Sequence, residues 1–157
     1  MFTCNRVSGF SKTLSITNQF GELAQVGFWL EQASRCYQLP EYTVFKLDLV
    51  LNEALANIIS YAYSDQLNHD ILIKLENRQD YVILEIIDDG KAFNPFAADP
   101  FYEQITLKSA TINGRGINLI KAYTDTQDYQ RMNNTNTMRV TIHKSPEKTI
   151  DSTANIV

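Results

Sequence analysis

With 157 residues, 14 Lys and Arg against 18 Asp and Glu, and a net charge of −4, the chain has the length of one domain and lacks the basic stripe that nucleic-acid phosphates require. Hydrophobic residues make up 44% and charged residues 20%, with six Gly and four Pro; this excludes a disordered or fibrous chain, and a chain of this size buries about 70% of its unfolded surface without needing a metal or disulfide. Cys4 and Cys36 belong to no ligand-spaced cluster and read as thiols, no apolar run is long enough to span a bilayer, and Met1 to Phe10 has no basic leader, so a cytoplasmic protein with a protein or small-molecule partner is expected.

Thr13 to Thr17 alternates with Leu14 and Ile16 on one side and predicts a short strand. From Phe20 to Tyr37 the apolar residues Phe20, Leu23, Val26, Trp29, Leu30 and Ala33 recur at helical spacing, and Pro40 ends the segment. Glu41 to Tyr63 predicts a stronger helix, with Val44, Leu47, Leu51, Ala54, Leu55, Ile58 and Ala62 on one arc and Lys46, Glu53, Asn57 and Ser60 opposite. Asp70 to Glu76 and Tyr81 to Ile87 alternate around a polar turn and predict a hairpin. Asp88 to Asn113 holds Gly90, Pro95 and Pro100 without periodicity, so a long loop with at most a short helix is expected. Gly114 to Tyr123 resumes helical spacing. Thr126 to Met132 and Asn136 to His143 alternate around Asn133, Asn134 and Thr135, predicting a second hairpin with Met138, Val140 and Ile142 inward. Lys144 to Val157 reads as a frayed tail. This order predicts an α+β fold, a two-layer sandwich with helices on one face of a mixed, mostly antiparallel sheet. One domain over 11–144 is expected, with flexible termini at 1–10 and 145–157.

Three constellations could carry chemistry. Glu53 and Asn57, four apart, share one helix face. By pattern alone that face is solvated, although Leu49 and Val50 flank the pair and suggest partial apolar cover. A carboxylate beside a carboxamide could supply a base and an oxygen ligand for Mg²⁺. Asp88 continues the parity of Val82, Leu84 and Ile86, so a carboxylate follows directly on inward apolar positions. If buried it must meet a donor, from protein or ligand, because an unpaired buried carboxylate costs several kcal/mol. The alternative is an Asp-Gly turn that simply leaves the sheet. Gly114-Arg115-Gly116 opens a helix, where glycines permit close approach and free N–H groups favour a phosphate. There is no GxxxxGKS run, so this is not a P-loop.

Taken in order, NEALANIISYAY, LEIIDDGKAFNPFAADP and GRGINLIKAYTDTQDYQRMNNTN resemble the N, G1 and G2 boxes of the GHKL ATPase superfamily, in particular the anti-sigma-factor serine kinases of bacterial partner-switching systems. The resemblance covers Leu14 to His143 and implies a histidine-kinase-like ATPase fold binding ATP with Mg²⁺. It implies that Asn57 ligates Mg²⁺, that Glu53 is the general base toward a substrate serine, and that Asp88 accepts a hydrogen bond from the adenine amino group. Gly90 matches the G1 glycine, and Gly114 and Gly116 match the lid glycines beside the phosphates. Arg115 and Lys108 stand near enough in sequence to neutralise phosphate charge. Two positions depart from the broader superfamily: Ala92 replaces the second G1 glycine, within an Ala92-Phe93-Asn94-Pro95 run that resembles the kinase family's own version, and Tyr61 stands where many relatives carry histidine.

The function implied is that of an ATP-dependent protein serine kinase and anti-sigma regulatory factor. It would hold a sigma factor or equivalent regulator and phosphorylate a STAS-domain antagonist. The alternatives are a nucleotide-binding module that sequesters a partner without kinase activity, and a stand-alone ATPase. Too few residues precede Leu14 for a phosphoacceptor helix pair, which argues against a complete sensor histidine kinase. Neither nucleic acid nor membrane is expected as a partner. The family's tendency to dimerise points to the sheet edges and the first helix.

Overall fold

A computed structural model describes residues 11–97 and 113–145. The elements run β1 (Ser11–Thr17), a 3-10 turn (Phe20–Glu22), α1 (Leu23–Tyr37), α2 (Glu41–Tyr61), β2 (Asp70–Asn77), β3 (Tyr81–Asp88), α3 (Asn113–Ala122), β4 (Thr126–Met132) and β5 (Thr135–His143). The five strands form one sheet in the order β1-β2-β3-β5-β4. Every pairing is antiparallel, so the mostly antiparallel α+β sheet expected from the sequence is antiparallel throughout the described pairs. The termini expected to be flexible lie outside the described residues except for Ser145, as do Lys108 and most of the long loop.

The helices cover one sheet face because period-2 and period-3.6 apolar patterns meet there. Ile71, Ile73 and Leu75 of β2, Val82, Leu84 and Ile86 of β3, and Met138, Val140 and Ile142 of β5 are buried against Leu47, Val50, Leu51, Ala54 and Leu55 of α2 and Leu30 and Ala33 of α1. The opposite face carries charge, with Glu85 between Lys74 at 4.0 Å and Arg139 at 3.4 Å. Helix α1 stops because Gln38 takes a left-handed conformation, φ 52°, and Leu39 N–H donates to the Ser34 carbonyl. Pro40, extended at ψ 146°, then starts α2. In the second hairpin Asn133 and Asn134 both have positive φ, and Met132 pairs with Thr135. The turn therefore has two residues, with both at positive φ as a type I′ turn demands and asparagine tolerates.

Two expectations change. Phe20, expected inward, is 55% exposed, because the first turn is 3-10 and winds more tightly than the helix assumed in the angular count. Cys36, expected as a thiol, is disulfide-bonded, and Cys4 lies outside the described residues.

The turn after α2 is tied to the end of β3. His69 stacks on Tyr63 with ring centroids 4.1 Å apart, and its ring nitrogens face Asp65 at 2.9 Å and Asp89 at 3.2 Å. Hydrogen bonding to Asp65, then to Asp89, raises the His69 pKa above 6.5 against the opposing effect of burial. A histidine whose folded pKa is raised stabilises fully below its unfolded pKa, and that contribution is lost as pH rises through the folded value. Accordingly, an NMR titration of the two histidines should find His69 above the ordinary imidazole value. Thermal stability should fall above about pH 6.5 in the wild type, and less so in His69→Gln. A His69 midpoint at or below the ordinary value would refute the clamp.

Candidate functional site

At the end of β3, Asp88 is 7% exposed, as its parity with Val82, Leu84 and Ile86 requires. Two protein donors meet it: Gly90 N–H and Asn136 Nδ2 each donate to Oδ1 at 2.8 Å. Burial pushes its carboxyl pKa up, and those two hydrogen bonds and Arg131 oppose the rise. Both described hydrogen bonds go to the same oxygen, which leaves Oδ2 as an acceptor, and Asp88 lines a cavity of about 320 Å³ bounded by α2, α3, the 91–95 segment and the start of β5. The simple exposed Asp-Gly turn is thus ruled out by burial.

Gly90 fits where a side chain would not. A Cβ there would stand 2.5 Å from Ala62 Cβ and 2.9 Å from the Ala62 carbonyl oxygen, and Lys91 N–H donates to that same carbonyl at 2.8 Å. This seats the β3 exit on the C-terminal end of α2. Gly90→Ala should therefore lower unfolding free energy by about 1–3 kcal/mol, the usual cost of overpacking. Denaturant titration measures this, and a change below about 0.5 kcal/mol, the range of ordinary surface substitutions, would refute the close approach.

Glu53 and Asn57 lie on the face of α2 that meets α3, and both are half-buried rather than solvated. The periodicity of α2 alone could not show this, because α3 covers the face from about sixty residues away. Gly116, itself buried, is a point of close approach between the two helices: a Cβ there would collide with Glu53 Oε2 and stand 3.5 Å from Asn57 Nδ2. Helix α3 thus brings its N-terminal turn, with its free N–H groups and positive dipole end, to the Glu53 and Asn57 side chains.

Of the residues singled out from sequence, Asn57, Asp88, Ala92 and Phe93 line the cavity. Gly90 packs against Ala62 and Asp88, and Gly116 against Glu53 and Asn57, so these glycines and Glu53 adjoin lining residues without being part of the lining. Gly114 lies in the first turn of α3. Arg115 in the same turn is exposed and is not part of the lining. Lys108 is outside the described residues. Sequence reasoning missed Asn136, Tyr129 and Lys91, all part of the wall. Asn136 carries a signal that could have found it: it is the first member of the inward series Asn136, Met138, Val140 and Ile142, a polar group at a core parity just as Asp88 is.

The chemistry of this set is that of an anionic ligand with one apolar, donor-bearing end. Apolar Ile58, Ile117 and Met138 line the cavity together with the Asp88 carboxylate and Asn57, and the Asn57 amide lies near Gly116 in the first turn of α3. Asn57 and Glu53 offer hard oxygen atoms in the sparse number that suits Mg²⁺, which keeps most of its ligands as water and phosphate. Among the described residues, no cluster of three His, Cys, Asp or Glu side chains forms a cage for a metal.

The comparisons agree with this geometry. The chain is 30% identical over 120 residues to the serine/threonine-protein kinase BtrW of Bordetella bronchiseptica, a stretch that covers 76% of this chain and 84% of the relative. Residues 16–142 match the Histidine kinase-like ATPase domain, a span that omits Ser11–Ser15 of β1 and His143 of β5 and holds Glu53, Asn57, Asp88 and Gly116 in one stretch. With the antiparallel sandwich, the buried Asp88 and the α2–α3 contact at Gly116, the chain belongs to the histidine-kinase-like (GHKL) ATPase family.

Proposed function

We propose that this protein is an ATP-dependent protein serine kinase and anti-sigma regulatory factor of a partner-switching system. The observation that supports the reading is that Asp88 and Asn57 line one cavity, with Asn57 beside the contact of Glu53 and Gly116. Asp88 Oδ2 would accept from the adenine amino group, and the apolar walls would hold the ring. The Asn57 side-chain oxygen would hold Mg²⁺, which supplies charge neutralisation across the phosphates when bound. The N-terminal turn of α3, with Gly114 and Gly116, would receive the phosphate oxygens; Arg115, and Lys108 from the long loop, would add positive charge.

Glu53 would then act on the substrate. Its carboxylate accepts the proton of a serine hydroxyl as the serine oxygen bonds to the γ-phosphorus and the bond from that phosphorus to the bridging oxygen breaks, releasing ADP. The acceptor is a STAS-domain antagonist and the held partner a sigma factor or equivalent regulator. A relative named as a serine/threonine-protein kinase supports the transfer step. No helix among the described residues is long and apolar enough to cross a membrane. Exposed Phe20 and Phe28 beside and on α1 offer apolar surface for the proposed dimer.

The test is to incubate the protein with Mg-ATP and a STAS-domain protein encoded beside it, then seek phosphoserine by mass spectrometry. Stoichiometric serine phosphorylation is expected. ATP binding without any transfer would replace the kinase with the sequestering module, and steady ATP turnover without acceptor would favour the stand-alone ATPase.

A further inference from the structure

We infer that Asn136, locked by Arg131 and Tyr129, is a positioning residue that sets which purine the cavity accepts, by presenting Asp88 Oδ2 as an acceptor only. The inference rests on the proposed adenine role of Asp88. It begins with register: Asp88 of β3 pairs directly with Asn136 of β5, so the two polar side chains share one inward position. Asn136 is 5% exposed and every polar atom of its amide is used. Nδ2 donates to Asp88 Oδ1 at 2.8 Å and to the Lys91 carbonyl at 3.0 Å, with the Gly90 carbonyl at 3.3 Å. Oδ1 accepts from Tyr129 Oη at 2.7 Å and from Arg131 Nη1 at 2.6 Å.

The amide orientation follows from this chemistry. A guanidinium only donates, while carbonyls and a carboxylate only accept. Flipping Asn136 would set its NH₂ against Arg131 and its oxygen against three acceptors. Arg131 also donates to the Gly90 carbonyl at 2.9 Å, so one guanidinium fixes both the amide and the turn that follows Asp88. Asp88 Oδ1 therefore receives two donors, and the carboxylate cannot rotate without losing both. An ionised Oδ2 accepts from a 6-amino purine and repels a 6-oxo purine. Without Asn136, burial would favour the protonated acid, whose O–H can donate to a carbonyl. Neither Arg131 nor Asn136 needs to touch the nucleotide for this to hold.

The experiment compares ATP with ITP, which differ at the 6-position, by calorimetry on wild type, Asn136→Ala and Arg131→Ala. Wild type should prefer ATP by at least about 100-fold, since a site built around a hydrogen bond rejects the analogue lacking it. Asn136→Ala should weaken ATP binding at least about 10-fold, narrow the ATP to ITP ratio by a similar factor, and move the acidic loss of ATP binding to higher pH, all consequences of losing a hydrogen bond to a charged group. The charged and titratable groups acting on Asp88 in that profile are Asp89, Arg131 and Tyr63. Arg131→Ala should move all three readouts in the same direction by less, and it carries the test if Asn136→Ala does not fold. Equal weakening of ATP and ITP with an unmoved pH midpoint would make Asn136 merely structural and overturn the inference. Wild type that binds both nucleotides equally, or neither, would overturn the adenine reading itself.

Discussion

Asp88→Asn should weaken ATP binding by roughly 100-fold or more while leaving the ligand-free protein at least as heat-stable as wild type. The carboxylate is shape-matched by asparagine, whose oxygen can still accept from Gly90 N–H and Asn136 Nδ2. The amide NH₂ then occupies the Oδ2 position, because the flipped orientation would crowd it against two donors. A donor facing the adenine amino group costs the hydrogen bond and leaves a buried polar atom unpaired, about 2–3 kcal/mol together. Stability moves the other way. An acid whose folded pKa is raised above its unfolded value is destabilised in the folded state once ionised, so stability rises as pH falls through the folded pKa. Burial raises the Asp88 pKa, and at neutral pH the substitution removes that cost. Calorimetry and thermal melts check the pair of outcomes. An unchanged dissociation constant would eliminate the adenine role, and a lower melting temperature would mean that the charge holds the fold rather than the ligand.

Glu53→Gln should leave ATP affinity within a few-fold and lower phosphoryl transfer to the STAS substrate by about 10²–10⁴-fold, the range for loss of a positioned general base. The glutamine keeps the contact with Gly116 and the half-buried volume, so α2–α3 packing is retained. It lacks only the ability to take a proton. Single-turnover transfer with saturating Mg-ATP isolates this step from product release. Transfer at near wild-type rate would assign the base elsewhere, and a large loss of ATP affinity would recast Glu53 as a binding residue.

The element types were legible along the chain because burial on one face imposes a period that each segment carries by itself. Ile71, Ile73 and Leu75 declare their face without reference to any neighbour, and Val82, Leu84 and Ile86 extend that logic to Asp88. All are buried as the parity requires. Glu53 and Asn57 show the limit of such reasoning. Their angular position on α2 reads as solvent-facing, and their cover comes from Gly116, a residue whose relevance no local period can express. Phe20 shows a smaller limit, since a 3-10 turn and an α-helical turn are indistinguishable at one apolar residue.

Sequence alone thus determined the strands, the helices, the two hairpins and, through three ordered motifs, the family, and it left Asp88 open between an inward carboxylate and a turn that leaves the sheet. These are local or ordinal properties, written in spacing along one segment or in the succession of segments. Tertiary structure decided which groups meet. The strand register sets Asn136 opposite Asp88 at a sequence separation of 48, Arg131 reaches back to Gly90, and α3 closes over Glu53 and Asn57 only because Gly116 has no side chain. The physical reason is that hydrogen bonds and close packing act over a few ångströms in space, and residues far apart in sequence come within that range only once the sheet has paired and the helices have docked.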